Sequence, residues 1–416
     1  MMTAVVRAPK LLVIGAGMAA TRLLDELLAL GDTYHITVLN REAQGGYNRI
    51  MLSPVLAGEK SLEQIITHSP AWFAEQGIQL HTDKTVVAID RQKQCVVVSD
   101  GTVFEYDKLV IATGAKPLVL SIENTNLAGV VSFRDIADVQ KIQKAAEGGK
   151  NAVIIGGGLL GLEAAYGLQK YAMQVAVVHR SDILMNAQLD QPAATLLQAQ
   201  LSADGTERSG MQFYMGNEVV EIIANQAGTH ISAVRLKDGR HIACDLLVMA
   251  IGIRPHTELA VQADLTVNRG IVVDDQLLTN DAHIYALGEC VEHRGQTYGL
   301  VAPLYEQAKV LAQVLNGHDD VAYQGSLTAT KLKVTGVELF SAGDFNGSEA
   351  SQTLVFQDLH AGVYRKLVLE ESKIVGALLY GDTYDANWFF ELLQQATDVS
   401  AIRETLLFGQ GFNSVA

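Results

Sequence analysis

Two glycine-rich turns constrain the fold of this chain more than any other feature. The first, residues 15–20 (GAGMAA), follows an apolar run predicted to form the strand Lys10–Ile14, and precedes leucines at helical spacing. The second, residues 156–161 (GGGLLG), lies between the apolar run 152–155 and another helical stretch. Their first glycines are 156 − 15 = 141 residues apart, which is about one domain. The chain is therefore expected to hold two domains of one architecture.

After its helix, each turn is followed by another apolar run, residues 36–39 in the first case and 174–178 in the second. A strand, a helix and a second parallel strand form the βαβ unit that binds dinucleotides. In that unit the glycines permit a tight turn and let a pyrophosphate approach the N-terminus of the helix, where free N–H groups favour anions. One such turn is weak evidence, but two in the same context predict two bound dinucleotides.

The fold class that follows is α/β, with two Rossmann-like dinucleotide-binding domains and a small α+β domain at the C-terminus. Residues 281–289 (DAHIYALGE) again present a strand before a glycine, so the chain is predicted to return to the first domain. Strands at 366–369 and 374–379, before an aromatic helix around Trp388, indicate the third domain. The predicted boundaries are 8–120 with 250–325, then 121–249, then 326–416, and a surface loop is predicted at 203–211.

The residues at the end of the second strand decide how an adenosine ribose is held, because a carboxylate there binds the 2′-hydroxyl. In the first unit Asn40 occupies that position, followed by Arg41 and Glu42. Asn40 or Glu42 could hold the ribose and Arg41 could lie against the adenine; the alternative is that these are solvated loop residues. In the second unit His179 and Arg180 stand there without a carboxylate. Arg180 could pair with a 2′-phosphate, which favours NADPH over NADH by a narrow margin.

The charge and cysteine content exclude several classes of partner and site. With 31 Lys and Arg against 46 Asp and Glu, the formal net charge is −15, and such a negative field repels nucleic acids and anionic membranes. No stretch approaches the roughly 20 apolar residues that span a bilayer, and the N-terminus lacks the apolar core of a secretory signal, so the cytoplasm is expected. The separate cysteines Cys95, Cys244 and Cys290 predict neither a disulfide framework nor a metal site.

Five segments stand in an order that resembles the two-dinucleotide FAD reductases, such as rubredoxin, ferredoxin and glutathione reductases. The resemblance covers about residues 11–315, and the segments are GAGMAA (15–20), ATGAKP (112–117), GGGLLGLEAA (156–165), GIRP (252–255) and IYALGE (284–289). Within that group the chain is similar to the flavin module of the large subunit of assimilatory NAD(P)H nitrite reductases, nearly to its end. That closer similarity rests on residues 46–53 (GYNRIMLS), 184–190 (LMNAQLD), 288–290 (GEC) and 330–337 (TKLKVTGV).

The resemblance implies FAD at the first fingerprint and NAD(P)H at the second, and the fingerprints and the resemblance together imply a set of site residues. Those expected to contact FAD are Gly15, Gly17, Met18, Ala19, Ala20, Asn40, Arg41, Glu42, Arg49, Val86, Thr113, Gly114, Arg134, Gly288 and Glu289. Those expected on the nicotinamide side are Gly156, Gly158, Leu160, Gly161, Glu163, His179, Arg180 and Gly252. Glu163 is expected near the nicotinamide ring, where it orients the ring and does not donate a proton. Two alternatives stay open: Val86 as plain core, and Arg134 as a cap of the helix that follows it.

The departures from these relatives are as informative as the matches. Disulfide reductases carry a C-x4-C pair on the helix that faces the flavin, and residues 47–58 contain no cysteine. Ferredoxin reductases commonly carry a lysine directly after the Leu-Ser of the flavin segment, where this chain has Pro54. Three separate cysteines are too few to ligate the iron–sulfur and sirohaem groups of a complete nitrite reductase. Electrons are therefore expected to leave for a different protein.

The expected function is that of an FAD-dependent NAD(P)H:acceptor oxidoreductase, as the electron-transfer component of an assimilatory nitrate or nitrite reductase system. The expected partner is an iron–sulfur or molybdenum redox protein such as a nitrate reductase catalytic subunit, with no nucleic acid and no membrane, and a homodimer is left open. One alternative is a rubredoxin- or ferredoxin-type reductase of another pathway. The other is a non-catalytic flavin redox sensor.

Overall fold

The computed structural model describes residues 8–31, 34–202, 210–332 and 336–413. The predicted surface loop at 203–211 lies outside these residues except for its last two positions. Residues 333–335 of the segment 330–337 also lie outside them.

The first fingerprint belongs to a five-stranded parallel sheet, whose strands are largely buried except for the edge strand at residues 79–81. The helix Met18–Leu30 starts directly after Gly17 and ends at Gly31, whose φ of 106° no ordinary residue adopts readily. It packs against the long helix Val301–Leu315. The strands follow one another across the sheet in the order Ile284–Ala286, Lys108–Ile111, Lys10–Ile14, His35–Leu39 and Gln79–His81. The strand at residues 284–286 thus lies in the same sheet as the strand before the first fingerprint.

The second fingerprint belongs to a separate five-stranded parallel sheet of the same design. The helix Leu159–Gln169 follows its central strand, and the helices Ile136–Ala146 and Gln191–Ser202 belong to the same part of the chain. The strand order across this sheet is Val130–Ser132, Leu246–Met249, Asn151–Ile155, Gln174–Val178 and Gln212–Tyr214. The two sheets confirm the α/β fold class.

The C-terminal domain is a five-stranded antiparallel sheet with a helix packed on it. The helix, Ala386–Gln394, buries Phe389 against the sheet. The predicted strands and the aromatic helix are confirmed, and both strands are longer than predicted. Their order is Ala329–Leu332, Leu339–Gly343, Lys373–Tyr380, Val363–Glu370 and Gln352–Asp358.

Smaller elements that the sequence analysis did not predict complete the fold. Two three-stranded antiparallel sheets consist of Val86–Asp90, Cys95–Val98 and Val103–Glu105, and of Val219–Ala224, Ile231–Leu236 and His241–Ala243. Three strand pairs are Gly46–Tyr47 with Ile66–His68, Ala115–Pro117 with Ile253–Pro255, and Ile271–Val273 with Val291–His293. The short α-helices are Leu52–Leu56, Pro70–Glu75, Glu258–Gln262 and Gln410–Asn413. In the part of the chain that is described, no helix has both the length and the apolar character needed to cross a membrane.

The chain divides into two compact units, each with its own fingerprint. The first contains residues 1–52, 60–116 and 253–326, and the second contains residues 53–59, 117–252 and 327–416. The C-terminal sheet therefore lies in the same unit as the second fingerprint. The short segment 53–59 also belongs to that unit, although it follows strands of the first unit in sequence.

Candidate dinucleotide-binding sites

The first glycine of each fingerprint is required by a close approach of two backbone segments. Gly15 has a φ of 107°, and a Cβ there would lie 2.4 Å from the carbonyl oxygen of Ala112. Gly156 has a φ of 115°, and a Cβ there would lie 2.2 Å from the carbonyl oxygen of Ala250. In both units the end of a neighbouring strand therefore closes on the turn, and only glycine fits.

The second glycine of each fingerprint faces open space. A Cβ at Gly17 or at Gly158 would meet no atom within 4 Å. No side chain caps the N-terminus of either helix that follows, Met18–Leu30 or Leu159–Gln169. An uncapped helix N-terminus beside an open glycine is suited to a pyrophosphate, because the free N–H groups and the helix dipole favour negative charge. Each open glycine and the uncapped helix N-terminus beside it form a cradle, and both cradles thus fit a dinucleotide.

The third position differs between the two turns. Ala20 is fully buried, so the first helix tolerates a methyl group there. A Cβ at Gly161 would lie only 1.9 Å from the carbonyl oxygen of Gly156, so the second helix packs too closely for alanine. Met18 and Ala19 open the first helix, and Leu160 lies in the first turn of the second.

Residues after the strand His35–Leu39 form a hydrogen-bonded cluster. The side-chain amide of Asn40 donates to the carbonyl oxygens of Glu42 and Gln44, at 3.1 and 2.7 Å. The carboxylate of Glu42 accepts from the hydroxyl of Tyr47 at 2.8 Å and from Nη2 of Arg49 at 3.0 Å. The structure thus brings together the predicted Asn40, Glu42 and Arg49 and adds Tyr47, which sequence reasoning missed.

Four further predicted FAD residues lie in the first unit with different surroundings. The hydroxyl of Thr113 donates to the carbonyl oxygen of His256 at 2.8 Å, and the N–H of His256 donates to the carbonyl oxygen of Gly114 at 2.9 Å. These bonds fasten the strand that starts at residue 253 to the end of the central sheet. Val86 is buried in the core of the unit, and Arg41 is exposed to solvent.

The turn at Gly288 is held by Gln307, a residue that no sequence motif marks. The backbone N–H of Gly288 donates to Oε1 of Gln307 at 2.8 Å, and Gln307 is fully buried on the helix Val301–Leu315. Glu289 follows and is half-buried, and its charge acts on Arg49. Cys290 is fully buried, and burial raises the pKa of its thiol, which makes it a poor nucleophile.

On the nicotinamide side, the ring of His179 supports the fingerprint itself. Its Nδ1 accepts a hydrogen bond from the backbone N–H of Gly157 at 3.1 Å, and burial lowers the pKa of the imidazole. Arg180, the next residue, is exposed. Gly252, three residues after the end of the strand Leu246–Met249, has a φ of 112°. Arg134 belongs to this second unit, and its backbone N–H donates to Oδ2 of Asp138 at 2.9 Å.

Glu163 lies on the helix Leu159–Gln169, two residues after the last glycine of the fingerprint. Its Oε2 accepts a hydrogen bond from the hydroxyl of Ser53 at 2.5 Å. Burial raises the pKa of the Glu163 carboxyl, and the bond from Ser53 opposes that rise. Among the described residues, no group of three His, Cys, Asp or Glu side chains is placed to hold a metal ion.

The arrangement of two fingerprints is matched by a known family. The model of the pyridine nucleotide-disulphide oxidoreductases matches residues 9–311, which is most of the chain. The chain belongs to this family. Membership makes it an oxidoreductase and implies FAD and NAD(P)H as its cofactors. Residues 329–397 of this oxidoreductase match a second model, the rubredoxin NAD+ reductase C-terminal domain.

Relatives of this oxidoreductase occur in nitrogen metabolism. It is 44% identical, over 94% of its length, to the nitrite reductase [NAD(P)H] of Bacillus subtilis (strain 168). It is 41% identical, over 96% of its length, to the assimilatory nitrate reductase electron transfer subunit of the same organism. The matched parts are 48% and 51% of those two proteins, so the chain spans about half the length of these relatives.

Solved structures of electron-transfer reductases share the fold. The putidaredoxin reductase–putidaredoxin complex is matched with a TM-score of 0.83 at 25% identity, over 94% of this chain and 93% of that one. The ferredoxin reductase for the CYP199A2 system of Rhodopseudomonas palustris is matched with a TM-score of 0.83 at 26% identity, over 94% and 98% of the two chains. The family resemblance stated from sequence is thus confirmed.

Proposed function

We propose that this oxidoreductase passes electrons from NAD(P)H through FAD to a separate redox protein in the cytoplasm. The observation that carries the proposal is the pair of open cradles at Gly17 and Gly158, each beside an uncapped helix N-terminus. Two such cradles suit two dinucleotides. The absence of cysteine between residues 47 and 58 supports an outside acceptor, because an internal dithiol relay would need a pair there.

The residues of this chain would bind and orient the two cofactors, and the bound cofactors would supply the hydride chemistry. The first fingerprint would hold the pyrophosphate of FAD, with Glu42 and Arg49 at the adenosine end. Thr113, Gly114, Gly288 and Glu289 would hold the remainder of that cofactor. The second fingerprint would hold the pyrophosphate of the nicotinamide nucleotide, and Glu163 would orient its ring.

We propose that the setting is assimilation of nitrate or nitrite. The two relatives from Bacillus subtilis support this, one named as an electron transfer subunit of assimilatory nitrate reductase. The acceptor would then be an iron–sulfur or molybdenum protein, such as a nitrate reductase catalytic subunit. Since the chain spans about half of each relative, that acceptor can equally be a further part of a longer protein.

We also propose a narrow preference for NADPH over NADH. The support is Arg180, which is exposed beside the second fingerprint in a unit where no carboxylate follows the strand Gln174–Val178 directly. An exposed guanidinium can form a bidentate pair with a 2′-phosphate.

The test uses anaerobic stopped-flow absorbance of the FAD-loaded protein mixed with NADH or NADPH, followed by addition of the acceptor. We expect flavin bleaching by nucleotide and reoxidation by ferricyanide or by the nitrate reductase partner. The absence of bleaching by either nucleotide would sink the proposal.

A matched pair of variants assigns the two cradles. The backbone of Gly17 and Gly158 is extended, with φ of −73° and −85°, so larger residues fit the backbone without strain. We expect Gly17→Val to purify without FAD, because the side chain fills the pyrophosphate space. We expect Gly158→Val to keep FAD but to lose reduction by both nucleotides. The reverse pattern would exchange the two assignments.

The second candidate is a rubredoxin- or ferredoxin-type reductase of another pathway. It is favoured by the match of residues 329–397 to the rubredoxin NAD+ reductase C-terminal domain. Steady-state rates with rubredoxin, a [2Fe–2S] ferredoxin and the nitrate reductase catalytic subunit decide between the candidates, since the physiological acceptor should give the highest kcat/KM.

A further inference from the structure

The carboxyl group of Glu163 has a partner that neither fingerprint predicts. The hydroxyl of Ser53 donates to its Oε2 at 2.5 Å, across 110 positions of sequence. Both residues belong to the second compact unit. Only 6% of the surface of Ser53 is exposed, so the hydrogen bond is shielded from water. A hydrogen bond to a partly buried carboxylate contributes more than one at the surface.

The segment 53–59 is held firmly against the helices of this unit. A Cβ at Gly167 would lie 2.8 Å from Cγ of Leu56, so the helix Leu159–Gln169 lies directly against the segment. The side-chain amide of Gln143 donates to the carbonyl oxygen of Val55 at 3.1 Å. The position of Ser53 is therefore fixed by the packing of its segment on two helices.

No cation offsets the burial of Glu163 within the described residues. The strands packed against its helix, Asn151–Ile155, Gln174–Val178 and Leu246–Met249, carry no titratable side chain. Burial and the bond from Ser53 are the two influences on the pKa of the carboxyl, and they act in opposite directions.

The charged groups nearest in sequence and packing are engaged with one another. Tyr166, one turn along the helix, donates to Oε1 of Glu59 at 3.1 Å. The ammonium of Lys170 lies 4.5 Å from the centroid of the Tyr166 ring. Residues 53–59 (SPVLAGE) contain no lysine or arginine, so the segment supplies a hydroxyl to Glu163 and no positive charge.

Resting on the proposed function, we propose that Ser53 is a positioning residue for the nicotinamide nucleotide. Its hydroxyl holds Oε2 of Glu163 and favours the ionised carboxylate, which leaves Oε1 to accept a hydrogen bond from the carboxamide of the nucleotide. Affinity for the nucleotide is then linked to the ionisation of Glu163. It falls as the pH drops through the pKa of that carboxyl, because the neutral acid is a weaker acceptor.

The test measures equilibrium binding of NAD+ and NADP+ to the oxidised, FAD-loaded protein by calorimetry, from about pH 5 to pH 9. In Ser53→Ala the carboxyl protonates at higher pH, so on the acid side we expect about tenfold weaker binding than wild type. On the alkaline side the two proteins should agree within about twofold. Ser53→Thr keeps the hydroxyl and should restore the wild-type profile.

Glu163→Gln removes the ionisation, and its affinity for NAD+, which carries no 2′-phosphate that titrates near about pH 6, should be independent of pH whether or not Ser53 is also replaced. Ser132→Ala is the matched control, because Ser132 donates to the buried Asp138 at 2.9 Å in the same unit, and its profile should equal that of wild type. A profile unchanged in Ser53→Ala, or shifted equally in Ser132→Ala, would overturn the inference. Failure of the wild type to bind either nucleotide at any pH would instead overturn the proposed function, and this inference with it.

Discussion

The backbone N–H of Gly157 and Nδ1 of His179 form a 3.1 Å hydrogen bond that ties the second fingerprint to the end of the strand Gln174–Val178. Because Nδ1 accepts, the neutral ring must carry its proton on Nε2. A Cβ at Gly157 would lie 2.9 Å from Cγ of His179, so the ring is also in close contact with the turn. His179 is thereby positioned to support the loop, and the next residue, Arg180, is exposed.

Replacing His179 should weaken the binding of NAD+ and NADP+ by the same factor. In His179→Ala the N–H of Gly157 loses its acceptor, and one such bond contributes about 1 kcal/mol, or roughly fivefold in affinity. We expect Kd to rise by about that factor for NAD+ and for NADP+. The measurement is calorimetric titration of the FAD-loaded protein. A change in the ratio of the two Kd values would contradict the role of a support.

Replacing Arg180 should instead act selectively. If its guanidinium pairs with the 2′-phosphate, Arg180→Glu should lower kcat/KM for NADPH by about 10- to 100-fold, since charge-assisted hydrogen bonds contribute about 1.5–3 kcal/mol. The value for NADH should change by less than about threefold. Arg180→Ala is the control for loss of charge without repulsion and should lie between. Equal losses for the two nucleotides would remove the argument for NADPH.

The protonation of His179 should make the thermal stability depend on pH. Burial lowers its pKa in the folded protein below the ordinary histidine value of about 6.5, so on acidification the unfolded chain takes up this proton first. The stability contributed by the neutral ring is complete above about pH 6.5 and is lost as the pH falls toward the folded-state pKa.

His179→Asn keeps an acceptor near Gly157 but does not titrate, and serves as the reference. We expect the difference in melting temperature between wild type and His179→Asn to decrease from about pH 7.5 to pH 5.5 in differential scanning fluorimetry. A constant difference would show that the ring does not titrate in this range.

The third fingerprint position should respond differently in the two units. In Gly161→Ala the new methyl group would lie 1.9 Å from the carbonyl oxygen of Gly156, so the helix must move away from the turn. We expect a loss of about 2 kcal/mol or more in stability, together with weaker nucleotide binding and retained FAD. Ala20→Gly, the reciprocal change, should cost only about 1 kcal/mol. Similar effects on the binding of both cofactors would contradict the assignment of FAD to the first fingerprint and of the nicotinamide nucleotide to the second.

The local pattern of the sequence was sufficient to predict the bounds of individual strands. The strands Lys10–Ile14 and Gln174–Val178 have the predicted bounds, because buried parallel strands are largely continuous apolar runs. The division into three domains and the roles of individual site residues stay predictions.

Side-chain partners distant in sequence were beyond such reasoning. Ser53 meets Glu163 across 110 positions, and Gln307 holds the N–H of Gly288 from the middle of an otherwise ordinary helix. Neither has a periodicity or a spacing that would mark it. Asn40 illustrates a different difficulty: its amide is engaged by the carbonyl groups of its own loop, which a position in the strand cannot reveal.

Asp190 connects the C-terminal sheet to the second dinucleotide-binding domain. Its Oδ2 accepts from the hydroxyl of Tyr364 at 2.8 Å and from Nζ of Lys366 at 3.2 Å, and its Oδ1 accepts from the N–H of Ala193 at 3.3 Å. The side chains of Asp190 and Lys366 are only 12% and 13% exposed, so water screens the pair weakly. The contact therefore should contribute to stability.

We expect Asp190→Asn to lower the free energy of unfolding by about 2 kcal/mol, because Lys366 keeps its charge without a counter-charge. The amide oxygen can still accept from the N–H of Ala193, so the loss reports the contacts of Oδ2 with Tyr364 and Lys366. Lys366→Met should cost less, and the double variant should be more stable than the sum of the two losses predicts, by about 1 kcal/mol. Urea unfolding followed by the fluorescence of Trp388 in a Trp72→Phe background measures these energies. Additive losses would mean that Asp190 and Lys366 do not stabilise the domain as a pair.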